Sequence, residues 1–322
     1  MALELLRLAP QPATPAAVLV VGSVAYDNII TPRASGERIL GGSASYAALA
    51  ASFFAPTRLV GVVGHDFAPR DLERLRARGI DLAGLQVDQS GPTFEWKGKY
   101  HENFNRRDTL EINLNVFERF RPQLPEIYLQ SEYALLGNIH PALQLHVRKA
   151  LRPEVFAAAD TIDLWIETTR DELLAVLRTI DLFVINDSEA GILTGETNLI
   201  RAGQALRKLG PKYIIIKKGE HGAYLFHPDG LFALPAYPVL ELHDPTGAGD
   251  SFAGALLGAL ATLTGAGNQA KPTFAQFKQA MIFATVVASL TVESFSCDRL
   301  EAAGIAEIQK RADDLRKLVA LA

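Results

Sequence analysis

Apolar residues in this chain gather in two kinds of pattern. The first is a short unbroken run, as at 17–22, 58–64, 133–137, 182–186 and 213–217. Runs of this length, rich in Val, Ile and Leu and bounded by turn residues, predict strands buried on both faces, as in a parallel sheet. The second is helical periodicity, over 43–54, 69–78, 141–151, 170–177 and 199–209. Strands alternating with helices predict a parallel sheet covered on both sides.

Two segments depart from that rhythm. Residues 27–41 form a short excursion ending at Gly41-Gly42, and residues 92–117 alternate through Phe94, Trp96, Gly98 and Tyr100, then Leu110, Ile112, Leu114 and Val116. A period of two marks half-exposed strands. Together the segments predict a small sheet standing off the main body as a lid; an edge extension of the main sheet or a dimer contact is the plainer alternative. Beyond Leu260 the chain reads as helical: 273–289 is strongly apolar and 301–321 amphipathic. The whole chain, 1–322, is taken as one domain with the lid segments inserted in it.

Composition narrows the classes. Of 322 residues, 48% are hydrophobic and 21% charged, enough apolar residues for a substantial core without disulfides. The net charge of −4 carries no nucleic-acid footprint, and no apolar run is long enough to span a bilayer. Cys297 is the single cysteine, which fits a reducing cytoplasm and equally a cysteine-poor secreted protein. Residues 1–17 lack a compact apolar stretch and read as a loose leader rather than a signal peptide. The histidines at 65, 101, 140 and 243 show no zinc-ligand spacing.

The sharpest chemical feature is Asp244-Pro245-Thr246-Gly247-Ala248-Gly249-Asp250-Ser251-Phe252. Two glycines flank Ala248, and a good helix, 252–260, follows. Such a turn presents backbone N–H groups at a helix N-terminus, where the helix dipole favours an anion. Asp250 stands at its mouth, where a carboxylate either caps the helix or takes a proton from a hydroxyl attacking phosphorus.

This segment resembles the C-terminal signature of the ribokinase-like (PfkB) carbohydrate kinases, and the likeness extends from about Val18 to about Leu300. It implies an α/β fold: a three-layer α/β/α ribokinase-like architecture with a central, mostly parallel sheet and a small β-sheet lid. It implies that Gly247, Ala248 and Gly249 bind the transferring phosphoryl group and that Asp250 is the base. Asp27, at the end of the first strand, would accept hydrogen bonds from substrate hydroxyls. Gly41 and Gly42 resemble the family's di-glycine hinge. Asn186 and Glu189 match its N-x-x-E pattern, with Asn186 near the nucleotide phosphates and Glu189 associated with Mg2+. Lys218, Gly219 and Gly222 fit the turn that lines the nucleotide. Asn138 follows a strand end facing the cleft, and Trp96 would stack on substrate or fill the lid interface. Arg106 and Arg107 would reach a substrate, or stand solvated in a loop.

The expected activity is therefore ATP- and Mg2+-dependent phosphorylation of an alcohol, in the cytoplasm, with a small-molecule substrate. Members of the family often respond to a monovalent cation. A sugar or sugar derivative is the first expectation for the acceptor, a nucleoside the second, and a ligand sensor that kept the fold the third. A Rossmann dehydrogenase is disfavoured, since Gly22-Ser23-Val24-Ala25 lacks G-x-G-x-x-G. The exposed edge of a lid sheet would also allow a homodimer.

Overall fold

Five of the apolar runs become central strands, and their alternating side chains divide the core in two. In a computed structural model, described over residues 15–104, 106–267 and 271–320, Val18 and Val20 enter one apolar cluster and Leu19 and Val21 the other. Successive side chains of a strand point to opposite faces, so an unbroken apolar run is what a sheet covered on both sides requires. The leader assigned to residues 1–17 lies mostly outside the described residues, as does position 321 of the C-terminal helix.

The strands in chain order are β1 (Val18–Val21), β2 (Ala25–Ile30), β3 (Ser35–Gly41), β4 (Thr57–Gly64), β5 (Asp81–Asp88), β6 (Phe94–Tyr100), β7 (Arg107–Asn113), β8 (Tyr133–Leu136), β9 (Phe156–Ala159), β10 (Leu182–Asn186), β11 (Tyr213–Lys217), β12 (Ala223–His227) and β13 (Gly230–Leu234). Nine form the main sheet, in the order β13-β12-β11-β10-β9-β8-β1-β4-β5. From β5 to β11 every pairing is parallel; β12 and β13 add an antiparallel hairpin at one edge. Helices Ser43–Ala51, Ala248–Thr264, Phe274–Thr291 and Ile305–Val319 contribute to one core cluster. Helices Pro141–Ala150, Arg170–Leu177, Asp187–Thr194 and Leu199–Arg207 contribute to the other. The three-layer expectation holds.

The departures are local. The helix expected over 252–260 runs from Ala248 to Thr264, so the turn glycines lie at its very start. The segment expected as one helix over 301–321 is two, Asp298–Ala302 and Ile305–Val319. Residues 115–117, expected as lid strand, belong to a 3-10 turn at Asn115–Arg119.

The remaining four strands form a separate sheet in the order β3-β2-β6-β7. Asp27 pairs with Trp96 across β2 and β6, and Trp96 with Ile112 across β7. Paired positions share a face, so Asp27 and Trp96 look the same way. Tyr26, one residue along, looks the other way and donates its hydroxyl hydrogen to Oδ2 of Asp71 at 2.9 Å.

Candidate active site

Open parallel sheets leave a crevice beyond the C-terminal ends of their strands. Here β8, β9, β10 and β11 deliver Asn138, Asp160, Asn186 and Lys217 at or just past their ends, and the four-stranded sheet follows directly after β1. The Ala248–Thr264 helix points its N-terminus at the same place.

That N-terminus has no side-chain cap. Gly247 occupies the cap position with φ 75°, and the ring of Tyr46 lies 2.3 Å from where a Cβ on residue 247 would sit. Only glycine meets both demands. The Ala248 N–H is already turned to the carbonyl of Pro245 at 3.2 Å, whereas Gly247 and Gly249 have no backbone acceptor among the described residues. The anion site expected from three consecutive amides therefore has two of them open. Asp244 shapes the turn: its Oδ1 accepts from the Thr246 N–H at 2.9 Å.

Asp250 lies in the first helical turn and does not cap the helix, and Asp160, just past β9, is an acid whose charge acts on it. Burial pushes the Asp250 carboxyl up from the usual carboxylate range, while Lys217, Arg107 and the bond from Asp160 pull it back. Nζ of Lys217 stands 2.6 Å from where a Cβ on Gly249 would begin. The lysine thus reaches the turn because residue 249 has no side chain.

Across the crevice, Asp27 is 4% exposed. Its Oδ2 lies 2.0 Å from the position of a Cβ on Gly41, and the Gly42 N–H donates to its carboxylate. The two glycines let strand β3 lie directly on this acid. Burial, with repulsion from Asp244 and then Asp250, lifts the Asp27 carboxyl to about 8; the Gly42 bond and Arg107 oppose the rise.

Residues 16–302 match the family model described as pfkB family carbohydrate kinase. The chain belongs to the pfkB family of carbohydrate kinases. It is a phosphotransferase with an alcohol group as acceptor. The cytidine kinase of Thermococcus kodakarensis is 29% identical to this pfkB-family kinase over 247 residues, covering 74% of this chain and 87% of that protein. The 2-dehydro-3-deoxygluconokinase of Thermoproteus tenax is 26% identical over 245 residues, covering 68% and 71%. Among solved structures, a ribokinase II from E. coli in complex with ATP and Mg2+ superposes with a TM-score of 0.75 at 20% identity, covering 93% of this chain and 99% of that one.

The residues singled out by sequence do not all face the crevice of this pfkB-family kinase in the same manner. Asn186 and Glu189 form a reciprocal cap: the Glu189 N–H donates to Oδ1 of Asn186 at 2.8 Å, and the Asn186 N–H to Oε2 of Glu189 at 3.0 Å. Capping is thus a role they already fill. Burial raises the Glu189 carboxyl, with Lys217 the largest opposing influence. Asn138 accepts from the indole N–H of Trp165 at 2.8 Å. Lys218 turns its ammonium to the ring of Tyr224, 3.8 Å from the centroid, while Gly219 and Gly222 close a tight turn beside it. Trp96 lies flat across Gly98, with the Arg107 guanidinium 5.5 Å from its ring centre.

Lys217 and Asp160 at the crevice were missed, and Arg107 and Tyr100 were not given the places they take. Lys217 was passed over for its neighbour, although strand alternation separates the two. Arg107, weighed as reaching a substrate or standing solvated in a loop, is the first residue of β7 and acts on Asp27, Asp250 and Glu189. Tyr100, paired with Arg107, joins the lid to Thr246. Asp160 carries no motif at all; only its place after β9 brings it to Asp250.

Proposed function

We propose that this kinase transfers the γ-phosphate of ATP to a hydroxyl of a sugar or sugar derivative, with Asp250 as general base. The observation that carries this is the placing of Asp250: a carboxylate at a helix start that it does not cap, beside open amides, facing a second buried acid on the lid. Asp27 holds acceptor hydroxyls, and the alcohol to be phosphorylated points at Asp250. As the new O–P bond forms and the bond to the leaving ADP oxygen breaks, the hydroxyl proton passes to Asp250. The N–H groups of Gly247 and Gly249 and the ammonium of Lys217 stabilise charge on the moving phosphoryl group, the usual main source of catalysis in such transfers. The lid sheet excludes water as a competing acceptor.

Mg2+ fits beside Glu189, a buried carboxylate whose Oε1 lies outside the capping bonds; it supplies neutralisation of the phosphates, and Asn186 lies at the same strand end. The turn also suits a monovalent cation, because Oδ2 of Asp244 is buried with no hydrogen-bond partner. Pairing of two lids through the edge strands β3 and β7 would give a homodimer.

A nucleoside acceptor is the second possibility, favoured by the Trp96 ring on the crevice face of the lid and by the cytidine kinase among the relatives. ADP release with D-ribose, 2-dehydro-3-deoxygluconate and cytidine decides between them; faster turnover of cytidine would reverse the order. With the best of these acceptors, Asp250→Asn should lower turnover about 10²–10⁴-fold with an unchanged melting curve. Turnover near that of the wild type would remove Asp250 as base.

A further inference from the structure

Strand β3 carries an arginine in an unusual backbone state. Arg38 has φ 47°, a left-handed conformation that residues other than glycine rarely adopt. It lies in a bulge: Asp27 pairs with Ile39 and Ile29 with Gly36, so Asn28 of β2 faces two residues of β3, Glu37 and Arg38. Bulges interrupt the ladder and re-aim the side chains beside them. This one falls directly after Asp27. Across it, the Arg38 N–H donates to Oδ1 of Asn28 at 2.8 Å, and Nδ2 of Asn28 donates to Oε1 of Glu95 on β6 at 2.6 Å.

The Arg38 side chain spans the root of the lid. Its guanidinium lies 4.3 Å from the centre of the Tyr26 ring and reaches Asp66, in the turn after β4. One guanidinium nitrogen donates to Oδ2 of Asp66 at 2.6 Å and to the Asp66 carbonyl at 3.3 Å. The other carboxylate oxygen, Oδ1, accepts from the N–H and the hydroxyl of Thr93, each at 2.7 Å, immediately before β6. Tyr26 is itself anchored to the main body: its hydroxyl accepts from the Ala68 N–H at 2.9 Å while donating to Asp71 of the Pro69–Ala77 helix. Strand β2 is thus held on both flanks and from behind, through Arg38 on β3, Thr93 before β6, and its own Tyr26, one residue from Asp27.

Stability does not account for this bridge. The Arg38 and Asp66 side chains are 49% and 20% exposed, and an exposed ion pair contributes little to folding. A left-handed arginine takes from it further, and backbone strain of this kind persists where a site needs it. The site within reach is Asp27. Gly41 lies three residues along β3 from Arg38, and Oδ2 of Asp27 stands 2.0 Å from where a Cβ on Gly41 would sit. With β3 laid so closely on the acid, a shift of β3 displaces the carboxylate.

We propose that Arg38 is a positioning residue for the acceptor: by bridging Tyr26 and Asp66 it holds the β3 bulge against the main body and so fixes the direction in which Asp27 meets the acceptor hydroxyls. This rests on Asp27 holding those hydroxyls. The bridge lies at the lid root, away from the glycine turn, so its loss should reach the acceptor and leave ATP binding alone.

The test uses the full-length enzyme with ATP, Mg2+ and D-ribose or cytidine, whichever turns over faster. Arg38→Ala removes the bridge. Asp66→Asn keeps an oxygen for Thr93 and puts an NH2 group where Arg38 finds its acceptor. Each should lower kcat/KM for the acceptor about tenfold or more, the effect of misplacing a binding group, with the KM for ATP within about twofold and the melting temperature nearly unchanged. Asp27→Asn should lower the same ratio, and adding Arg38→Ala to it should lower it no more, because a residue that acts through Asp27 then has nothing to position. Rates in the linear range give kcat/KM where saturation is out of reach. Should Arg38→Ala fail to fold, Asp66→Asn, alone and combined with Asp27→Asn, decides. The proposal is overturned if the Arg38 and Asp66 variants match the wild type, if their losses add fully to that of Asp27→Asn, or if the KM for ATP rises as much as that for the acceptor. Asp27→Asn separates the two claims: wild-type acceptor kinetics there remove Asp27 as the acceptor ligand and the proposal with it, whereas an impaired Asp27→Asn beside unaffected Arg38 and Asp66 variants removes Arg38 alone.

Discussion

The Tyr100 hydroxyl lies 3.0 Å from Oγ1 of Thr246, and this contact ties the lid sheet to the turn that opens the Ala248–Thr264 helix. Tyr100 is 5% exposed and also hydrogen-bonds Arg107. The lid therefore reaches the candidate phosphoryl site through a tyrosine whose polar tip is fully engaged.

Removing that tip should loosen the lid without unfolding it. Tyr100→Phe keeps the ring and loses a hydrogen bond of about 0.5–1.5 kcal/mol, so turnover should fall by up to about tenfold. Uncoupled ATP hydrolysis should rise, because a looser lid admits water. ADP release with and without acceptor checks both; an unchanged ratio of the two would show that the contact does not govern closure.

Gly249→Ala should act through Lys217. The added methyl would stand 2.6 Å from Nζ, and the far end of a flexible side chain gives way more readily than backbone. The fold should survive, while the KM for ATP rises about tenfold or more as the ammonium leaves the turn. Lys217→Met should show a similar rise, and the double variant should be little worse than either, since both remove one interaction. Fully additive losses would show that residue 249 acts independently of Lys217.

Asp27 makes stability fall as pH rises. Its folded carboxyl titrates at about 8, above the unfolded value of about 3.9. Below the unfolded value both states hold the proton and the acid is harmless. As pH climbs from about 4 to about 8, the unfolded chain is relieved by ionising while the folded chain is not, so the contribution is lost across that window. Asp27→Asn should flatten this part of the melting-temperature profile and raise the KM for the acceptor. A profile of unchanged slope would show that Asp27 ionises freely in the folded protein.

Much of this was legible along the chain because it is local. The run 182–186 and the run 213–217 match β10 and β11 residue for residue, since a strand buried on two faces must be apolar throughout. The turn from Asp244 to Asp250 declares itself for a like reason: a left-handed cap and a close approach demand glycine at fixed offsets. The strand β9, Phe156–Ala159, was passed over. Three alanines carry little strand propensity, and it is pairing with β8 and β10 that makes them a strand.

By itself, the sequence determined the alternation of strands and helices, the two lid segments and the glycine turn that opens a helix, because each depends on residues close together in the chain. Tertiary structure decided which charges meet. Lys217, Arg107, Asp160 and Asp250 come from four separate parts of the chain, brought together by parallel crossovers of the main sheet, by the four-stranded sheet and by the start of a helix. Burial then does what no local pattern records: it withdraws water from Asp27 and Asp160, so that their protonation is set by the neighbours the fold supplies.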